Sequence, residues 1–407
     1  MLHSRMASSR ADATQLLSRN ESGTPPGDRA FRPDVQGLRA VAVVAVVLSH
    51  AGVHHLVGGY VGVDVFFVVS GFVITGLLLR ERATTGGTRI LAFYARRCRR
   101  ILPAATLVVI VTVLFSYRWL GFIRGHQVAN DGLASSLFVA NFHFIDLGTN
   151  YINSKLPPSP LQNYWSLSVE EQFYVLYPTL FLVVSALARL WSLRTRLAVV
   201  LLAVLAASLG WSVIQTMSNG TAAYFSPLTR AWELALGGLI AVGSPLLIRA
   251  PKAVAAAAGW LGLGGIALAC VIYNAATAYP GSAVILPVAA TGLVIAGGAA
   301  APGLGAELIL ACRPLQWLGK LSYSLYLWHW PLLIVMAQKD GQTFSAARNL
   351  AWVLVALGLS VVTYLLVENP VRHSRVLAGV QWRSLVVGAA LIGTSLGVTG
   401  FEIATHP

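Results

Sequence analysis

The chain has 407 residues, of which 56% are hydrophobic and only 11% charged, and its net charge at neutral pH is +14. Soluble domains carry about a quarter charged residues, and the basic residues here fall mostly in short loops between apolar runs. That excludes a soluble domain and a nucleic-acid binder, and leaves a polytopic membrane protein whose loops set its topology. Cys98, Cys270 and Cys312 are odd in number and widely spaced, so neither a disulfide framework nor a zinc site is expected.

Residues 1–30 are polar, rich in Ser, Arg, Gly and Pro, and lack an apolar h-region; they read as a disordered cytoplasmic tail. Runs long enough to span about 30 Å of hydrocarbon follow at 38–54, 61–79, 101–118, 166–188, 197–216, 228–244, 254–273, 282–300, 317–337, 349–368 and 384–402. The expected class is therefore an all-α integral membrane bundle of about 10–11 transmembrane helices. The loop after the second run holds Arg80, Arg82, Arg89, Arg96, Arg97, Arg99 and Arg100, so it is cytoplasmic and the N-terminus is cytoplasmic too. Arg189, Arg194, Arg196, Arg249, Lys252, Arg313, Arg372, Arg375 and Arg383 all fall on that same side if the count is right. Segment 126–165 joins two ends that face outward and cannot cross once, so it reads as an extracytoplasmic cap or re-entrant element. The stretch 281–302 is rich in Gly and Ala, which suits close helix packing. Residues 374–407 read as a linker and an extra C-terminal span that leaves the C-terminus outside.

An ionisable residue inside a span costs about 2.5–3.5 kcal/mol on insertion scales and needs a reason. Arg39 and His50 are eleven residues apart, close to three turns, so they share a face about 16 Å apart along the axis. A hydrogen-bonded core histidine and a catalytic one both fit His50. Asp64 enters the second span at similar depth; it can orient the imidazole or cap a helix. Ser168 and Glu171 have the spacing of a capping box, which assigns Glu171 a structural role. Glu170 is left over, sharing a face with Tyr174 and Tyr177. Arg230 and Glu233 can neutralise each other. His329 lies beside Pro331 with Tyr326 one turn back. Arg96, Arg97, Arg99 and Arg100 fit either positive-inside bias with anionic lipid, or bidentate phosphate binding.

In combination, Asp34–Arg39 through His50, Gly59–Phe72, Arg96–Pro103, Trp165–Pro178, Leu318–Pro331 and Glu368–Arg372 resemble the acyltransferase family 3 membrane proteins, in family order across residues 31–373. The resemblance implies a membrane O-acyltransferase that takes an acyl group, often acetyl, from cytoplasmic acyl-CoA to a hydroxyl of a glycan, glycolipid or macrolide-like acceptor. The family's Arg-x10-His pattern falls on Arg39 and His50, its Arg-x-x-Arg pattern on Arg96/Arg99 and Arg97/Arg100, and its Ser-x-x-Val-Glu pattern on Ser166, Val169 and Glu170. Family members often carry a histidine shortly before Trp-Ser-Leu, where this chain has Asn163, an amide that cannot titrate. The eleventh span resembles members that continue into an extracytoplasmic SGNH-type domain, so a truncated or reduced form is expected.

The expected site comprises His50, Asp64 and Glu170 as catalytic residues. Arg39, Arg96, Arg97, Arg99, Arg100, Tyr174, Tyr326 and His329 are expected to bind substrate or CoA. No metal or tightly bound cofactor is expected; acyl-CoA is the donor substrate, membrane lipids are partners, and the location is the cell membrane. Two roles stay open for His50: general base on the acceptor hydroxyl, or carrier of the acyl group. The rival is a proton-coupled or solute transporter, which also buries ionisable groups but usually shows internal repeats.

Overall fold

A computed structural model describes residues 31–149, 157–187, 191–341 and 344–405. The tail expected over 1–30 lies outside the described residues. Among those described there is no strand, and the helices of ten residues or more are α1 (Pro33–His50), α2 (Gly62–Thr85), α3 (Ile90–Leu120), α4 (Phe122–Ser136), α5 (Ala140–Thr149), α6 (Tyr164–Ala186), α7 (Leu193–Ser218), α8 (Pro227–Leu247), α9 (Lys252–Ile272), α10 (Ile285–Ala300), α11 (Arg313–Asp340), α12 (Ala346–Thr363) and α13 (Gln381–Thr405). Each of the eleven apolar runs coincides with one of them. Segment 126–165 contributes α4 and α5, two shorter helices. The chain is a polytopic helical membrane bundle.

Among the described residues six helical stretches are long and apolar enough to cross a bilayer: His54–Thr85, Ile90–Leu120, Leu193–Ser218, Lys252–Ile272, Ala346–Gly379 and Gln381–Thr405. Of the remaining runs, α10 is apolar but shorter, while α1, α6, α8 and α11 carry Arg39, Glu170 and Glu171, Arg230 and Glu233, and His329. Their lower hydropathy comes from the ionisable groups themselves, which shows where the bundle keeps its polar interior.

Burial separates central from peripheral helices. The apolar window of His54–Thr85 is 72% buried, whereas that of Ala346–Gly379 is 17% buried. Large apolar side chains on the outer helices, among them Leu202, Leu261, Leu354 and Leu366, face outward, as lipid requires. Helix α1 gives Val43, Val46 and Val47 to one core cluster and Leu38, Ala42 and Ala45 to another, so it is wrapped on both sides. Helix α2 lies against α8 with almost no gap: a Cβ on Gly71 would fall 1.9 Å from Leu234 O, and one on Gly237 2.0 Å from Val68 O. Lipid offers no hydrophobic drive for helices to pair, and such small-residue contacts let backbones approach instead.

Two local departures from the α-helix matter for the site. Pro331 interrupts α11 and frees the carbonyl four residues before it. After α12, Tyr364–Glu368 form a π-helical turn that turns Glu368 into the bundle, 2% exposed. Such turns insert one residue into the helical repeat and re-aim the side chains that follow.

Candidate active site

At one end of α1, His50 meets α11. Its Nδ1 is 3.0 Å from His329 Nε2, and the two rings lie edge to edge and nearly parallel, with an interplanar angle of 7° and centroids 5.3 Å apart. Trp330 closes a second side, its ring 4.5 Å from that of His50, and its indole N–H donates to Ser159 O at 2.8 Å. His329 is fully buried, and its Nδ1 lies 3.1 Å from Leu325 O. One turn back, the Tyr326 hydroxyl is 2.6 Å from Ser166 Oγ. Asn163 Nδ2 donates to Tyr326 O at 2.9 Å and to Leu327 O at 3.4 Å. Leu327 O is the carbonyl freed by Pro331, so the amide found where a titrating histidine was expected holds the kink beside His329.

Asp64 and Glu170 are not placed against the imidazole. Among the described residues His50 has His329 as its hydrogen-bond partner, and neither carboxylate reaches it. Asp64, 1% exposed, accepts from Arg230 Nη1 at 2.8 Å and from the Tyr279 hydroxyl. Arg230 also reaches Glu233 at 3.2 Å, and its guanidinium is packed by the rings of Trp165, Tyr224 and Tyr279. In the loop after α9, burial and then the neighbouring Asp64 carboxylate hold the Tyr279 phenol well above its usual range, so it stays a donor. The expected Arg230–Glu233 pair is thus one part of a closed cluster. Asp64 is the fourth residue of its apolar run and Arg230 the third of its own, and both runs enter from the same side. Similar depth was the signal that pairs them.

Glu170 lies partway down the interior, accepting from Ser70 Oγ at 2.6 Å. The capping-box reading of Glu171 is overturned: α6 begins at Tyr164, four residues before Ser168, and Ser168 Oγ donates back to Tyr164 O at 2.9 Å. Glu171 instead pairs with Arg97, whose guanidinium lies 3.2 Å from the centre of the Tyr174 ring.

The arginine cluster sits on a helix and not in a loop. Helix α3 starts at Ile90, so at about 100° per residue Arg96, Arg97, Arg99 and Arg100 fan over an arc of about 160° of its surface. Arg96 pairs with Glu81 at the surface, 3.1 Å away. Arg97 is taken by Glu171. Arg99 donates from Nη1 to Leu377 O at 3.1 Å and Ser384 Oγ at 2.7 Å, tying α3 to the start of α13. Arg39 and Arg100 make no hydrogen bond or ion pair among the described residues; Arg39 lies in the field of Arg100, Glu170 and Glu368, and Arg100 in that of Arg97, Arg372 and Glu170. Glu368 itself accepts from Ser324 Oγ at 2.8 Å. A cavity of about 570 Å³ opens at this end, lined by Arg80, Glu81, Arg89, Arg96 and Arg99 and walled on one side by Ala378 and Gln381. No group of His, Cys, Asp and Glu able to hold a metal occurs among the described residues.

The interior therefore has, at one end, two guanidiniums with no hydrogen bond or ion pair among the described residues, a hydrogen-bonded histidine pair at the other, and Glu170, Ser166 and Tyr326 as further polar groups. The sequence profile of the acyltransferase 3 family, described as an acyltransferase domain, matches residues 32–368. The chain belongs to the acyltransferase 3 family. Both the unpaired arginines and the histidine pair lie within the matched region. The chain is 31% identical over 367 residues to the peptidoglycan O-acetyltransferase OatA of Listeria monocytogenes, a match covering 85% of this chain and 56% of that protein. It is 33% identical over 363 residues to the putative peptidoglycan O-acetyltransferase YrhL of Bacillus subtilis, covering 84% and 55%. It is 30% identical over 354 residues to the O-acetyltransferase OatA of Staphylococcus aureus, covering 84% and 57%. The chain spans little more than half the length of these curated relatives. No solved structure matches it.

Proposed function

We propose that this acyltransferase 3 chain is a membrane O-acetyltransferase. It moves an acetyl group from acyl-CoA, held at the arginine end, to a hydroxyl of a cell-wall glycan presented at the histidine end. One observation carries the reading: a single central helix, α1, bears an unpaired Arg39 and, about 16 Å further along its axis, His50. Two partly buried guanidiniums that share the field of Glu170 and make no hydrogen bond or ion pair among the described residues suit the phosphates of a dianionic or trianionic ligand. The cavity lined by Arg80, Arg89, Arg96 and Arg99 extends that positive surface outward. The positive-inside rule makes the arginine end cytoplasmic, the side where acyl-CoA is found. The relatives' names supply the acetyl group and the glycan.

In the proposed reaction His50 takes the proton of the acceptor hydroxyl as the oxygen attacks the thioester carbonyl. The C–S bond then breaks, and the proton passes to the departing CoA thiolate. Tyr326 and Ser166 stand beside this point with hydroxyls that can orient acceptor or carbonyl oxygen. The test is transfer of labelled acetyl from acetyl-CoA by the purified full chain in lipid nanodiscs, with peptidoglycan fragments as acceptor. His50→Ala is expected to reduce transfer to background while insertion and thermal stability are retained. Acetylation that persists in His50→Ala sinks the assignment, and solute flux without turnover favours the transporter.

A further inference from the structure

Leu325 O can only accept a hydrogen bond, so the contact from His329 Nδ1 requires the proton on that nitrogen. A neutral imidazole carries one proton, which leaves His329 Nε2 as an acceptor. The 3.0 Å contact between the two histidines is then donated by His50 Nδ1. His50 in turn has its lone pair on Nε2. That nitrogen has no hydrogen-bond partner among the described residues, and it is not one of the polar atoms sealed away without a partner. We infer that His329 is a positioning residue: it fixes the tautomer of His50 so that His50 Nε2 is the nitrogen that meets the acceptor hydroxyl.

The inference rests on His50 being the base and adds which atom acts and what sets it. Orientation of a catalytic imidazole is commonly the task of a carboxylate, and Asp64 and Glu170 were the candidates for it. Both are engaged elsewhere, by Arg230 with Tyr279 and by Ser70. A neutral histidine performs the same service without placing a charge in an apolar span, where an ionised partner would be expensive. The surroundings hold His329 still. Asn163 fixes the carbonyls at the Pro331 kink, the Tyr326 ring packs 5.6 Å from the His329 ring, and Trp330 is anchored to Ser159. The two rings are nearly coplanar, 7° apart in plane, as a linear in-plane hydrogen bond between ring nitrogens requires.

The experiment compares His329→Gln, His329→Leu and His329→Lys with His50→Ala in the purified full chain, reading kcat and KM for acetyl-CoA. It also reads the rate at which diethyl pyrocarbonate modifies His50, followed by mass spectrometry. Gln keeps an acceptor at the Nε2 position, and kcat is expected within about tenfold of the parent. Leu removes the acceptor and is expected to lower kcat about 10²-fold or more with KM unchanged. Lys can only donate, which forces the opposite tautomer; kcat is expected near that of His50→Ala, and His50 modification slows. A Leu variant with unaltered kcat and modification rate overturns the inference, as does one in which KM alone rises. The modification rate does not depend on turnover, so it still reads the pair if His50→Ala proves active and the base assignment fails. Should the variants not fold, histidine ¹⁵N spectra of the wild-type chain decide directly: a protonated Nε2 on His50 overturns the proposal.

Discussion

Arg230 on one side, and Arg39 with Arg100 on the other, are arginines of the same bundle treated in opposite ways: the first is sealed from solvent, the other two are only partly buried. Arg230 is 1% exposed and fully met: two carboxylates accept from it, a phenol completes Asp64, and three aromatic rings cover its faces. Arg39 and Arg100 make no hydrogen bond or ion pair among the described residues, and Arg39 lies in the field of Arg100. The same side chain is a structural pin where its donors are satisfied, and the proposed ligand site is where they are not. Accounting for each donor separates the two.

The contrast can be broken at several points. Arg230→Met strands Asp64 and Glu233 in an apolar core and is expected to cost about 3–5 kcal/mol, seen as a collapse in folded yield and melting temperature in detergent. If that variant melts like the parent, Arg230 is no pin. Arg39→Met and Arg100→Met should leave melting intact and raise KM for acetyl-CoA by about 10- to 100-fold each, the worth of a hydrogen bond to a charged group. An unchanged KM in both would remove the donor from this end of the bundle. Glu171→Gln releases Arg97 from its partly buried pair, with an expected loss of about 1–3 kcal/mol, and a double-mutant cycle with Arg97→Met measures the coupling. Arg96→Ala breaks only a surface pair and should change stability by about 1 kcal/mol at most. A large effect on KM there would move the donor site outward to the 570 Å³ cavity.

Much of the fold is legible in the sequence because lipid leaves few options: apolar runs of sufficient length must be helices, and all eleven are. The site is less legible because its contacts join helices far apart in the chain. His50 and His329 are 279 residues apart, and no local pattern connects them. The arginines of 96–100 were read as one cluster because they precede the apolar run at 101–118. The helix in fact begins at Ile90, and its turn sends the four in different directions. Glu171 matched a capping box by spacing, yet α6 had already begun at Tyr164. Asp64 and Arg230 sit at equal depth in runs of equal direction, so their pairing was within reach of the sequence. The attraction of a nearer partner for each, His50 and Glu233, obscured it.

Arg99 binds the start of the last helix, and the two hydrogen bonds that do so span 278 and 285 residues of chain. One wall of the arginine-lined cavity, Ala378 and Gln381, is therefore among the last parts of the described chain to be synthesised. During biogenesis the earlier helices can enter the bilayer and pair, but this cavity stays open-sided until the final span is threaded. The cavity is complete only once the helix Gln381–Thr405 has joined the earlier ones.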